Sequence, residues 1–277
     1  MTKKKVLLSW SSGKDSAWAL HRLRQDPAIE VVGLFTTLNQ AFERVAMHGV
    51  RKQLLMEQAA CVGLPLHCID LPWPCSNEDY GRVMTGFIED VLAMGIRHMA
   101  FGDLFLEDVR AYREKQLAGT GIAPLFPLWG SDTRELAQQM MAAGLKARIC
   151  TLDPGKLDAS LGGHEFDEAL LAALPAGVDP CGENGEFHTL AFDGPMFQRP
   201  LAIRVGERQW CGTASSLPIC CRMRPLRASC PGGRQAHLPS AECDKAGSLG
   251  IRPCRLARLS GRRRCRSWRA CRCQSPF

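Results

Sequence analysis

Apolar runs of strand length alternate along this chain with amphipathic stretches of helical period. Lys5 to Trp10, centred on Val-Leu-Leu, reads as a buried strand. Asp15 to Arg24 reads as a helix, because Ala17, Leu20, Leu23 and Arg24 recur at helical spacing before Pro27. The alternation continues with a strand over Val31 to Thr36, a helix over Val50 to Val62 closed by Gly63, and a strand over Leu66 to Asp70. Ser76 and Asp79 form a capping box for a helix carrying Val83, Met84, Phe87, Ile88 and Val91. A strand over His98 to Phe101 and a charged helix over Leu104 to Leu117 follow. This order predicts an α/β fold, a Rossmann-like parallel sheet of about five strands with helices on both faces.

The texture changes after Gly119-Thr120-Gly121, so the first domain is placed at 1–121. A helix over Asp132 to Ala143, a strand over Lys146 to Leu152, a helix around Phe166 to Leu174 and strands over Phe187 to Phe192 and Leu201 to Val205 predict a smaller, mixed α/β second domain at 122–206. Residues 207–277 form an Arg/Cys-rich tail without apolar periodicity, which reads as a disordered extension or as a GC-rich gene read out of frame from about Gln209.

Charge reinforces this division. The chain carries +7, but 14 Lys and Arg against 2 acids after residue 210 give the tail +12, leaving −5 on residues 1–210. A basic total therefore says nothing about what the acidic body binds. Five cysteines in the body against nine in the tail fit a reduced, cytoplasmic body, and no apolar run approaches a membrane span.

The strongest chemical signal is Ser11-Ser12-Gly13-Lys14-Asp15-Ser16, between the first strand and the first helix. Small residues at such a turn leave N–H groups at the positive end of the helix dipole, and Lys14 adds a charge, so the expected guest is a phosphate. An ordinary Ser/Gly turn capping a helix would use similar letters. The segment is not a Walker A loop, because Leu8 and Asp15 stand where that motif needs Gly and Ser or Thr, and no Gly-x-Gly-x-x-Gly follows a strand.

The segment LLSWSSGKDSAWAL resembles the PP-loop of the adenine nucleotide α-hydrolase superfamily, whose S-G-G-x-D-S motif grips the pyrophosphate of ATP. Ser12 stands where that motif has its first glycine. Two later segments resemble the diphthine–ammonia ligase (diphthamide synthase domain) family. One is Gly102-Asp103-Leu104-Phe105-Leu106-Glu107-Asp108-Val109-Arg110; the other runs from Asp179 through Glu183-Asn184-Gly185-Glu186-Phe187-His188-Thr189. The likeness covers Lys5 to Val205, including HGVRKQLLMEQAACVGLPL. It implies a HUP-type ATP-binding sheet followed by a substrate domain. The implied reaction adenylates a carboxylate with release of pyrophosphate and then replaces AMP with ammonia. The implied acceptor is diphthine on translation elongation factor 2 where that pathway exists. The wording of the second motif resembles bacterial relatives, for which another carboxylate is implied.

On this reading Ser11, Ser12, Gly13, Lys14, Asp15, Ser16 and Gly102 bind ATP, and Asp15 and Asp103 hold Mg2+. Lys14, Asp103, Glu186 and His188 are the catalytic candidates, with Glu186 receiving a proton from ammonia. Glu107, Asp108, Arg110, Glu183, Asn184, Gly185 and Thr189 are candidates for substrate contacts, and His48 and Gln58 for the rim of the site. Glu107 and Asp108 could equally be a solvated acidic helix start, and His188 a satisfied core imidazole. Cys181 as a glutaminase-type nucleophile is disfavoured for want of any accompanying pattern. A homodimer is compatible with the chain. Two other functions use the same loop: nucleotide or tRNA modification, which calls for a basic face, and a non-catalytic ATP sensor.

Overall fold

The computed structural model describes residues 2–40, 44–45, 50–210 and 219–225. The elements are β1 (Lys4–Ser9), α1 (Lys14–Gln25), β2 (Ile29–Asn39), β3 (Arg44–Val45), α2 (Lys52–Val62), β4 (Leu66–Leu71), α3 (Asn77–Ala93) and β5 (His98–Ala100). They continue with α4 (Glu107–Leu117), β6 (Ala123–Leu125), α5 (Thr133–Ala142), β7 (Lys146–Leu152), α6 (Glu168–Ala173), β8 (Phe187–Asp193), β9 (Ile203–Trp210) and β10 (Ile219–Pro225).

The sheet has five parallel strands, as the alternation of strands and helices predicts; their order is β4-β2-β1-β5-β6, with β3 antiparallel against the end of β2. The apolar centre of β1 is explained by burial on both faces. Val6 and Leu8 join a core with α1, α2 and the second sheet's Ile149 and Leu190, while Leu7 points to the other face, among Phe35, Ile69, Ile88 and Met99. The chain leaves β1 through α1 to β2 on one side, and β5 flanks β1 on the other. That reversal opens a crevice at the carboxyl ends of β1 and β5, where ligands of open α/β sheets bind.

The capping box forms as expected: Ser76 Oγ accepts the Asp79 N–H at 3.0 Å, and the Asp79 carboxylate accepts the Ser76 N–H. Strand β6 was not foreseen, because Pro124 reads as a breaker; it pairs with β5 alone, and an edge strand tolerates proline. The parallel sheet thus runs past residue 121. A second, antiparallel sheet has the order β8-β7-β10-β9. Both β9 and β10 carry paired backbone beyond residue 206, to Pro225. Residues 2–225 fall in one compact unit.

Candidate active site

The turn from β1 into α1 is the floor of the crevice. Ser12 has φ +73°, and among the described residues it is the non-glycine in the left-handed region. That conformation accounts for the glycine the PP-loop motif has at this position. The turn is fixed to the second sheet from behind. Ser12 O accepts the Ala191 N–H at 2.9 Å and Gln58 Nε2 at 2.9 Å. Gln58, fully buried on α2, also accepts the Trp10 indole N–H at 2.7 Å and donates to Ala191 O at 2.6 Å. The Lys14 N–H reaches Thr189 Oγ1 at 3.0 Å. Gly13 caps α1 with no side chain, leaving the helix start open to an anion. Gly102 follows β5 so closely that a Cβ there would stand 3.1 Å from the backbone of Asp15 and Ser16.

A polar cleft above this turn is lined by Ser9, Ser11, Asp15 and Asp103 on one side and by Glu183 and His188 on the other. The second motif enters it as a loop built on Asp179. Asp179 Oδ2 accepts the N–H groups of Cys181 at 3.1 Å and Glu183 at 2.9 Å. Glu183 then spans to the first sheet, accepting the Leu104 N–H at 2.8 Å. Burial, with Asp15 adding to it, pushes the Glu183 carboxyl up to about 7. Burial, with Lys14 adding to it, lowers His188 to about 4, so its imidazole is neutral at pH 7. Burial raises the Asp103 carboxyl against the pull of Arg113, which stands 3.5 Å away and stacks on the Phe101 ring at 4.9 Å. The Cys181 thiol is also pushed well up by burial and donates to Thr133 O at 3.3 Å. It is a thiol, unsuited to nucleophilic attack.

Of the residues singled out in the sequence, the cleft brings together Ser11, Lys14, Asp15, Ser16, Gly102, Asp103, Glu183, His188 and Thr189. Ser12 and Gly13 support it from the loop backbone. Glu186 is 3% exposed and lies behind the cleft, its Oε1 accepting the Asp179 N–H at 3.3 Å and Asn184 Nδ2 at 3.2 Å. Asn184 and Gly185 are exposed, as are Glu107 and Asp108 in the first turn of α4. Arg110 pairs with Glu114 at 2.8 Å and packs over Phe126 and Trp129, while Arg113, one turn further on, lines the cleft. Gln58 holds the loop from behind rather than bordering the cleft, and His48 lies outside the described residues. Sequence reasoning missed Asp179 and Arg113 as site residues. Asp179 opens the second motif, and Arg113 lies three residues beyond the end of the first.

Asp15 Oδ1 is a buried acceptor without a hydrogen-bond partner, and Asp103 Oδ2, on the same side of the cleft, has only the 3.5 Å ion pair with Arg113. Among the described residues no three His, Cys, Asp or Glu side chains converge as a metal cage. A magnesium ion shared with phosphates needs only one or two carboxylates, so this pair fits it.

The diphthamide synthase N-terminal domain matches residues 4–123, and the diphthamide synthase C-terminal domain matches residues 132–222. The chain belongs to the diphthamide synthase family. In the family's terms, the first domain supplies the loop and Asp103, and the second supplies Glu183, His188 and Thr189. Similar proteins include the diphthine–ammonia ligase of Rattus norvegicus, 29% identical over 119 residues that cover 40% of this chain and 44% of that protein. That of Danio rerio is 28% identical over 141 residues, 47% of this chain and 52% of that protein. The chain spans about half the length of these curated relatives. The family relatives are thus named as ligases, and no described helix is long and apolar enough to cross a membrane.

Proposed function

We propose that this protein is an ATP-dependent acid–ammonia ligase that adenylates a carboxylate and then amidates it. The observation that carries the reading is the convergence, in one cleft, of an uncapped helix start at Gly13 with the Glu183 carboxyl from the second motif. The first suits a pyrophosphate leaving group and the second a proton acceptor near neutral pH. In the first step a carboxylate oxygen attacks the α-phosphorus, the α,β bridging bond breaks, and pyrophosphate departs with the electron pair. The N–H groups at the start of α1 other than that of Lys14, which Thr189 Oγ1 takes, stabilise its charge. Asp15 and Asp103 would hold Mg2+, which would offset the phosphate charge against these carboxylates.

In the second step ammonia attacks the acyl carbon, the carbon–oxygen bond to AMP breaks, and Glu183 receives the proton that nitrogen loses. This assigns to Glu183 the part that the sequence suggested for Glu186. Glu186 instead shapes the loop that presents Glu183. The acceptor is a carboxylate, with diphthine on elongation factor 2 as the family's own example.

Purified protein incubated with ATP, Mg2+ and candidate carboxylates should release AMP and pyrophosphate, with turnover depending on ammonium. Release of ADP and phosphate, or turnover indifferent to ammonium in the presence of a competent acceptor, would refute the reading.

A further inference from the structure

Lys14 occupies the motif position where a phosphate ligand is expected, and it lines the cleft, yet its ammonium is already engaged by protein oxygens. It is 2% exposed. Its Nζ donates to Asp15 Oδ2 at 2.9 Å and to the carbonyl of Cys181, across the two domains. The rings of Phe166 and Phe187 flank it, each centroid 5.5 Å away. The carbonyl it grips lies two residues before Glu183. That segment has little room to relax: Gly182 has φ +71°, and a Cβ there would lie 2.8 Å from Phe187 O. The loop backbone, by contrast, is held without Nζ, through Ser12 O, the Lys14 N–H and Gln58. An ammonium desolvated between two rings and donating to two oxygens is fixed in place.

We propose that Lys14 is a positioning residue: its ammonium braces the Cys181–Glu183 segment against the phosphate loop, so the nitrogen-handling carboxylate is set from the nucleotide side. The proposal rests on the amidation reading above. It divides the loop's labour, with backbone N–H groups for phosphate and the lysine side chain for the second half of the reaction. Displacing Glu183 by about 1 Å would cost roughly a hundredfold in rate.

Calorimetry with an ATP analogue carrying a methylene at the α,β bridge measures nucleotide affinity in the full chain without turnover. For Lys14→Met, affinity should stay within about threefold of wild type, and first-turnover pyrophosphate release should persist. Conversion of the acyl adenylate to amide should fall about a hundredfold. A tenfold or greater loss of affinity, with the amide step otherwise keeping pace, would overturn the proposal, because Nζ would then be a phosphate ligand. Brief acetic anhydride labelling of wild-type protein, read by peptide mass, decides the matter even if the variant does not fold. Lys14 should remain unmodified with and without the analogue; modification in free protein that the analogue suppresses would overturn the brace. Wild type that forms no AMP would remove the amidation reading, whereas the labelling result speaks to the brace alone.

Discussion

The Ser12 carbonyl accepts the Ala191 N–H at 2.9 Å, so the turn that leaves β1 of one sheet is hydrogen-bonded directly to a strand of the other. Gln58 reinforces the junction by contacting both residues. Replacing Gln58 with Leu removes the partner of the Trp10 indole and the side-chain donor to Ala191 O, while Ser12 O keeps the Ala191 N–H. Each buried group so stranded costs about 1–3 kcal/mol, and a total near 3 kcal/mol is expected after relaxation. Urea denaturation should show it, together with weakened ATP binding; an unchanged midpoint would refute the clasp.

Ser12→Gly should act in the opposite direction. The left-handed conformation costs a non-glycine residue about 1–2 kcal/mol, and the buried Ser12 hydroxyl has no hydrogen-bond partner. Against this stands the extra chain entropy of glycine, about 0.5–1 kcal/mol. The variant is expected to gain roughly 1 kcal/mol in urea denaturation, and a loss of stability would contradict the strain.

Gly102→Ala tests the approach of β5 to the helix start. The new methyl would press on the backbone of Asp15 and Ser16, which cannot rotate aside as a side chain could. ATP affinity should fall at least tenfold, about 1.4 kcal/mol, with the far-ultraviolet spectrum unchanged. Titration calorimetry giving wild-type affinity would show that the turn does not bind the nucleotide in this geometry.

The pH dependence of amide formation should report Glu183. The groups that face it are Asp15, Lys14 and Asp103, and burial is the largest cause of its rise from the ordinary 4.5 to about 7. The basic form accepts the proton, so at constant free ammonia, with total ammonium adjusted at each pH, the rate should climb with pH and level off above about 7. Glu183→Gln should abolish that limb and lower the rate by about a hundredfold to ten-thousandfold, while adenylation persists and pyrophosphate appears as a burst. Glu186→Gln should keep the limb, since its effect passes through the shape of the loop. The same shift has a sign for stability. The folded state holds this proton more tightly than the unfolded chain, so the Glu183 contribution favours folding at low pH and is lost as pH rises through about 7.

The parallel sheet and the turn between β1 and α1 were legible because each rests on local pattern: an apolar strand, a small-residue turn, an amphipathic helix. The choice between Glu183 and Glu186 was not. Both stand in the second motif, and which of them faces the cleft depends on the turns at Gly182 and Gly185, whose positive φ no strand period carries across. Arg110 and Arg113 sit three apart on one helix, so their division into an aromatic ledge and a cleft wall depends on how α4 is rotated. Gln58 was a candidate for the rim of the site, whereas it holds the loop from behind. Its partners lie 46 and 133 residues away in sequence, and no local signal announces them.

The strand order of the second sheet sets a timetable for synthesis. Strand β9 reaches the rest of that sheet only through β10, which lies between it and β7 although it is made last. A nascent chain that has emerged only as far as Trp210 therefore holds the phosphate loop, Glu183 and β9, but β9 has no neighbour to pair with and β7 presents an open edge. The sheet behind the active site closes when residues 219–225 leave the ribosome. Until then that edge is a surface on which a chaperone, or another unfinished chain, could form hydrogen bonds.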